Sequence, residues 1–151
     1  MRELKRPKLL IVEDDLALQR QLAWTFEDFE VFKAEDRPAA ENVLKREKPS
    51  VILLDLGLPP DTDGPSEGLA MLQAALRASP DSKVIMMSGQ TEREFALKAV
   101  ALGAYDFYQK PISVEEIRLI VGRAQHVFEL ERENRRLAER PSGAPLPGVL
   151  T

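Results

Sequence analysis

Two stretches of the chain are apolar at every position, Leu9-Leu10-Ile11-Val12 and Val51-Ile52-Leu53-Leu54. Aliphatic runs without polar alternation predict strands buried on both faces, as in a parallel sheet. Both runs end in acid, the first in Glu13-Asp14-Asp15 and the second in Asp55. Val84-Ile85-Met86-Met87 is a third run, closed by Ser88-Gly89, and Glu30 to Ala34 and Tyr105 to Tyr108 are shorter β-prone segments. Helical spacing fills the gaps. Leu18, Leu22, Phe26 and Phe29 recur on one helical face, and Asp36 can cap a helix that carries Pro38 in its first turn and buries Ala40, Val43 and Leu44. Pro59 to Gly68 reads as a loop, and Leu69, Leu72 and Leu76 mark a helix ending before Pro80. Thr91 with Glu94 predicts a capping box for a helix from about Glu92 to Leu102, stopped by Gly103; Ser113 with Glu116 predicts another for a helix starting at Val114.

Five strands alternating with five helices predict an α/β domain with a doubly wound, five-stranded parallel sheet, right-handed crossovers and helices on both faces. In such sheets ligands bind at the carboxyl ends of the strands. That rim collects Glu13 and Asp14 from the first strand, Asp55 from the third, Ser88 from the fourth and Lys110 from the fifth. One such residue could be a loop cap, but five together point to a site.

Composition narrows the chemistry. With no cysteine and a single histidine, His126, disulfides, thiolate metal sites and imidazole clusters are excluded, so any metal must be held by oxygen. The balance of 21 basic against 25 acidic residues gives −4, which argues against nucleic acid as the direct partner. No apolar run approaches the ~20 residues that a membrane-spanning helix needs, and the amino end has no secretory apolar region; the expected location is cytoplasmic.

Crowded carboxylates repel unless one takes a proton or a cation neutralises them, and an all-oxygen, carboxylate-rich site suits Mg²⁺. An ion held by Asp14 and Asp55 would let Asp55 attack phosphorus and form an aspartyl phosphate, as a covalent intermediate or a stored signal. Lys110 would pair with one phosphoryl oxygen and Ser88 would donate a hydrogen bond to another. Two functions fit this chemistry: a phosphorylation-switched regulatory module, and a Mg²⁺-dependent phosphohydrolase working through an aspartyl phosphate. A hydrolase needs a further positioned acid or base. Leu56 and Gly57, which follow Asp55, supply neither, so the switch is preferred and no enzyme is expected.

The residues from about Pro7 to Gly122 resemble the receiver domain of bacterial two-component response regulators. The resemblance rests on Ile11-Val12-Glu13-Asp14-Asp15, Leu53-Leu54-Asp55 with Pro59 four residues on, Met87-Ser88-Gly89 and Gln109-Lys110-Pro111. It implies a flavodoxin-like fold with Asp55 as phosphoacceptor and a sensor histidine kinase as donor. It also implies Mg²⁺ held by Asp14, Asp55 and the Gly57 carbonyl, with Glu13 acting through a bound water. Ser88 would be the switch hydroxyl, Phe107 the switch aromatic, and Lys110 the conserved-type lysine with a cis bond to Pro111. Three features depart from the pattern. Glu13 is one methylene longer than the usual Asp, Gly57 has no side chain to gate water, and the Pro59 to Gly68 loop is long. Asp61 and Asp63 within it read as solvated loop acids rather than a second metal site.

The last helix outruns the receiver. The expected division is a receiver over residues 1–122, a helical coiled-coil linker over 123–140 and a Pro/Gly-rich linker over 141–151. With Ile120, Val127 and Asn134 at heptad position a, Leu130 and Leu137 fall at d, and a polar Asn at a fixes register in a parallel pair. A homodimer through Val127, Leu130, Asn134 and Leu137 is expected, with His126 an exposed helical residue. A receiver followed by the Glu133-Asn134-Arg135-Arg136-Leu137 helix resembles the start of sigma-54-dependent transcriptional activators. Gly148-Val149-Leu150-Thr151 then looks like the beginning of a missing output module, through which alone DNA and RNA polymerase would be reached.

Overall fold

The apolar runs form the three inner strands of one parallel sheet. The computed structural model describes residues 5–138, the Gln90 side chain excepted. Strands β1 (Lys8–Val12), β2 (Glu30–Ala34), β3 (Val51–Asp55), β4 (Lys83–Ser88) and β5 (Asp106–Gln109) lie in the order β2-β1-β3-β4-β5. Helices α1 (Leu16–Thr25), α2 (Arg37–Glu47), α3 (Ser66–Ala78), α4 (Arg93–Leu102) and α5 (Val114–Ala138) alternate with them. The doubly wound α/β architecture expected from the pattern is the one observed.

Side-chain alternation sorts each inner strand onto two faces. Leu10, Val12, Ile52, Leu54, Val84 and Met86 pack with α2, α3 and α4, while Leu9, Ile11, Val51, Leu53, Ile85 and Met87 pack with α1 and α5. Each fully buried aliphatic side chain contributes about 1.5–3 kcal/mol. The strands are therefore fixed from both sides, and the residues just beyond their ends are held in place.

Several local expectations are corrected. The helix that starts after Asp15, whose carboxylate caps it by accepting from the Ala17 and Leu18 N–H groups, ends at Thr25. Phe26 and Phe29 lie beyond it, their rings edge-on at 5.7 Å in the same core, so burial rather than helical continuity explains their spacing. Thr91 does not open α4. Gly89 is extended and its N–H donates to Glu92 Oε1 at 2.8 Å; a 3₁₀ turn covers Gln90–Glu92, and α4 begins at Arg93. α3 begins at Ser66, inside the stretch expected as loop, because Asp61 accepts from the Ser66 N–H (3.2 Å) and hydroxyl (2.5 Å). α5 starts at Val114 as expected, with the Glu116 N–H on Ser113 Oγ at 3.4 Å. The Lys110-Pro111 bond is cis, and so is Pro59-Pro60.

Helix α5 crosses residue 122 without a break, and Ala124 beyond it is buried in the core. Residues 139–140 of the expected coil and the whole of 141–151 lie outside the described residues. Among the described residues no helix is long and apolar enough to cross a membrane.

Candidate functional site

Backbone hydrogen bonding carries the strand ends to one point. The Leu56 N–H donates to the Met87 carbonyl at 3.0 Å and the Lys110 N–H to the Ser88 carbonyl at 2.8 Å, so the ends of β3, β4 and β5 stay zipped past their last strand residues. On the other side the Glu13 N–H donates to the Ala34 carbonyl at 3.0 Å. Gln19 reinforces this join, its side-chain amide donating to the Glu13 and Ala34 carbonyls at 3.0 and 3.2 Å. Nothing in the sequence singled out Gln19 as a buried polar brace.

Asp55 is buried at the centre of the rim. Lys110 Nζ reaches Glu13 Oε1 at 3.0 Å and Asp55 Oδ1 at 3.3 Å. Glu13 is only 1% exposed, and its other oxygen accepts the Asp15 N–H at 3.1 Å. Carboxylate oxygens of Glu13, Asp14 and Asp55 all lie within 4.8 Å of one another. The extra methylene of Glu13 thus leaves its carboxylate in the cluster.

Three acids against one ammonium leave an excess of negative charge in a desolvated place. Burial, and then the neighbouring Asp55 charge, push the Glu13 carboxyl up from 4.5 to about 7. Burial raises Asp55 as well. It pulls Lys110 down, but the charges of Asp55 and Glu13 outweigh that and hold its ammonium above the usual lysine range. A hard divalent cation would balance the charge of this all-oxygen donor set.

The acids, Gly57 and Lys110 line one cavity of about 290 Å³, and Thr62 and Glu92 line it too. Sequence reasoning missed these last two. Glu92 stands three residues after Gly89, but the capping box expected at Thr91 and Glu94 made it only the start of a helix; Thr62 carried no signal. Ser88 is 1% exposed, and its hydroxyl has no hydrogen-bond partner among the described residues. A buried orphan hydroxyl costs about 1–3 kcal/mol, so it is poised for an acceptor. Phe107 on β5 is half-buried against the core, with the Arg93 guanidinium 5.9 Å from its ring centre. Val127, Leu130, Asn134 and Leu137 are on α5, away from this cavity.

Residues 9–122 match the response regulator receiver domain. The chain belongs to that family. Among curated relatives, this receiver is 34% identical over 128 residues to the transcriptional regulatory protein KdpE of Staphylococcus aureus, covering 83% of this chain and 53% of that one. It is 32% identical over 133 residues to the nitrogen assimilation regulatory protein NtrX of Azorhizobium caulinodans, covering 87% and 29%. The receiver thus spans about half or less of the length of these two curated relatives. A solved structure described as adenylate cyclase from Rhodopirellula baltica superposes with TM-score 0.82 at 28% identity, over 91% of this chain and all of that one. The fold and family are those of two-component signalling, with an acidic pocket of the kind that binds Mg²⁺ in receiver domains.

Proposed function

We propose that this receiver works in the cytoplasm, takes a phosphoryl group from a sensor histidine kinase onto Asp55 and uses it to control self-association and an output module. The observation that supports this most is the convergence of Asp55, Glu13, Asp14 and Lys110 at the end of the central strand. Glu13, Asp14, Asp55 and the Gly57 carbonyl would hold Mg²⁺, which when bound neutralises the acids and polarises a phosphoryl oxygen. Asp55 Oδ attacks phosphorus, the bond from phosphorus to the donor's imidazole nitrogen breaks, and the electron pair leaves with the imidazole. Lys110 pairs with one phosphoryl oxygen of the product. The checking experiment uses phosphoramidate as a small donor: one phosphoryl adduct per chain is expected with Mg²⁺ and none with a chelator. Steady turnover of a phosphate ester without adduct would favour the phosphohydrolase reading instead.

Switching follows from the orphan hydroxyl. A phosphoryl group on Asp55 brings strong acceptor oxygens, and Ser88 Oγ gains its partner by moving toward one, which frees space for the Phe107 ring. Ser88→Ala is expected to take up phosphoryl groups and to be no less stable than the parent, since it deletes an unpartnered hydroxyl. It should lose most of the amide chemical-shift changes that phosphorylation causes across β4, α4 and β5. Equal changes in both proteins would contradict this coupling.

For the output we infer a transcriptional module of the sigma-54-dependent activator type. The KdpE and NtrX relatives, named as transcriptional and nitrogen assimilation regulatory proteins, support a transcriptional output, and the Glu133-Asn134-Arg135-Arg136-Leu137 helix that continues the receiver supports the activator type. A second reading, a nucleotide cyclase output, rests only on the description of the Rhodopirellula baltica protein as an adenylate cyclase, since the matched chain is covered whole by the receiver fold. Sequencing of the gene past the codon for Thr151 would discriminate: a Gly-rich phosphate loop ending in Lys-Ser or Lys-Thr would mark the ATPase of an activator, and a stop codon would count against both outputs.

A further inference from the structure

Gly57 gives the cavity of Asp55 no side chain of its own, yet its mouth is occupied. A Cβ on Gly57 would lie 2.5 Å from the Thr62 carbonyl oxygen, which real contacts do not allow, and 3.7 Å from Glu92 Oε2. The β3–α3 connection therefore folds back over the place a side chain at position 57 would take, and Glu92 flanks it from the β4–α4 side. The two oxygens of Glu92 have different surroundings. Oε1 accepts the Gly89 N–H at 2.8 Å, which fixes the carboxylate's direction. Oε2 lies beside Gly57, and Glu92 lines the same cavity as Asp55 and Lys110.

We propose that Glu92 is a positioning residue that holds the water which hydrolyses phosphorylated Asp55, so that it sets the lifetime of the phosphorylated state. The inference rests on Asp55 being the phosphoacceptor. Glu92 Oε2 accepts a hydrogen bond from the water and leaves the water's lone pair turned to phosphorus. The new O–P bond forms as the bond between phosphorus and Asp55 Oδ breaks, and its electron pair returns to the Asp55 carboxylate. One water proton stays on the attacking oxygen and the other passes to a phosphoryl oxygen, so dihydrogen phosphate leaves. The Thr62 carbonyl, also at the mouth, narrows the space in which that water can sit.

Glu92→Gln separates this role from a purely structural one. The amide oxygen can still accept the Gly89 N–H, but the atom facing Gly57 becomes an NH₂ that cannot accept from water. The full chain is charged with phosphoramidate and Mg²⁺, the donor is removed by desalting with Mg²⁺ retained, and loss of the adduct is followed by intact mass. A half-life at least ten times that of the parent is expected for Glu92→Gln, and a similar one for Glu92→Ala. Decay within twofold of the parent, or faster, overturns the proposal. So does failure of both variants to accept a phosphoryl group that the parent accepts, because Glu92 would then serve phosphorylation rather than its loss. If the parent itself forms no adduct, the assignment of Asp55 fails first and the role of Glu92 falls with it.

Discussion

Lys110→Ala is expected to lose about 3 kcal/mol of stability at pH 8 without divalent cations, because it strips two buried carboxylates of their one neutralising cation. For a domain of this size that is a fall of roughly 10 °C in Tm. The loss should depend on pH in a definite direction. The folded Glu13 carboxyl titrates near 7, above its ordinary 4.5, so the fold binds a proton there more tightly than the unfolded chain does. That contribution is present at low pH and is lost as pH rises through about 7. Without Lys110 the attraction that lowers the pKa of both acids is gone, so the deficit of the variant should be largest at pH 8 and smaller at pH 6. Mg²⁺ should recover part of it at pH 8 by replacing the lost positive charge. Thermal melts of parent and variant at both pH values, with and without Mg²⁺, check this. Coincident melts at pH 8 in the metal-free state would show that Lys110 does not neutralise the pair.

Leu130→Asp is expected to abolish self-association. Leu130 and Leu137 are 51% and 44% exposed on α5, and Val127 is half-buried. A helix turns about 100° per residue, which puts the stripe of Val127, Leu130, Asn134 and Leu137 on a different flank from buried Ile117, Val121 and Ala124. The buried flank continues past the core as ion pairs to the domain's own β4 approach: Glu131 with Lys83 at 2.7 Å and Arg135 with Asp81 at 2.5 Å. The helix can therefore stay seated on its domain while the stripe meets a second copy. Glu131, at heptad position e, is paired within its own chain, so the coil gains little from flanking interchain charges and should depend mildly on salt. Each buried leucine contributes about 1.5–3 kcal/mol gross, much of it offset by association entropy and the buried Asn134 pair. A dimer dissociating at micromolar concentrations is expected, and a charge at the central d position removes it. Cutting the chain after Gly122 is a poorer test, since it also removes buried Ala124. Sedimentation of parent and Leu130→Asp across a concentration series decides: identical monomeric behaviour in both would refute the coil.

The strands were the most legible part of this chain, for a physical reason. Val51 to Leu54 and Leu9 to Val12 are buried on both faces, so every position carries the same apolar signal. The rim acids were legible because a charge directly after such a run has only the strand end to occupy. Phe26 and Phe29 misled because burial beyond a helix end imitates helical spacing. The turn at Gly89 was misplaced by two residues, since both Glu92 and Glu94 stand where an acid can cap a helix. Thr62 could not be read at all. Its carbonyl reaches Gly57 through the path of the whole β3–α3 connection, which depends on Asp61 bonding Ser66 and on α3 lying so close to β3 that a Cβ on Gly68 would collide with the Leu56 backbone.

The central claim is that Asp55 alone accepts the phosphoryl group. Intact-mass measurement of the parent and of Asp55→Asn, each incubated with phosphoramidate and Mg²⁺, tests it most directly. Asn keeps the shape of the side chain and removes the nucleophilic carboxylate, while Glu13 and Asp14 remain as competing acceptors. One adduct on the parent and none on the variant is the predicted result; an equal adduct on both would contradict the assignment.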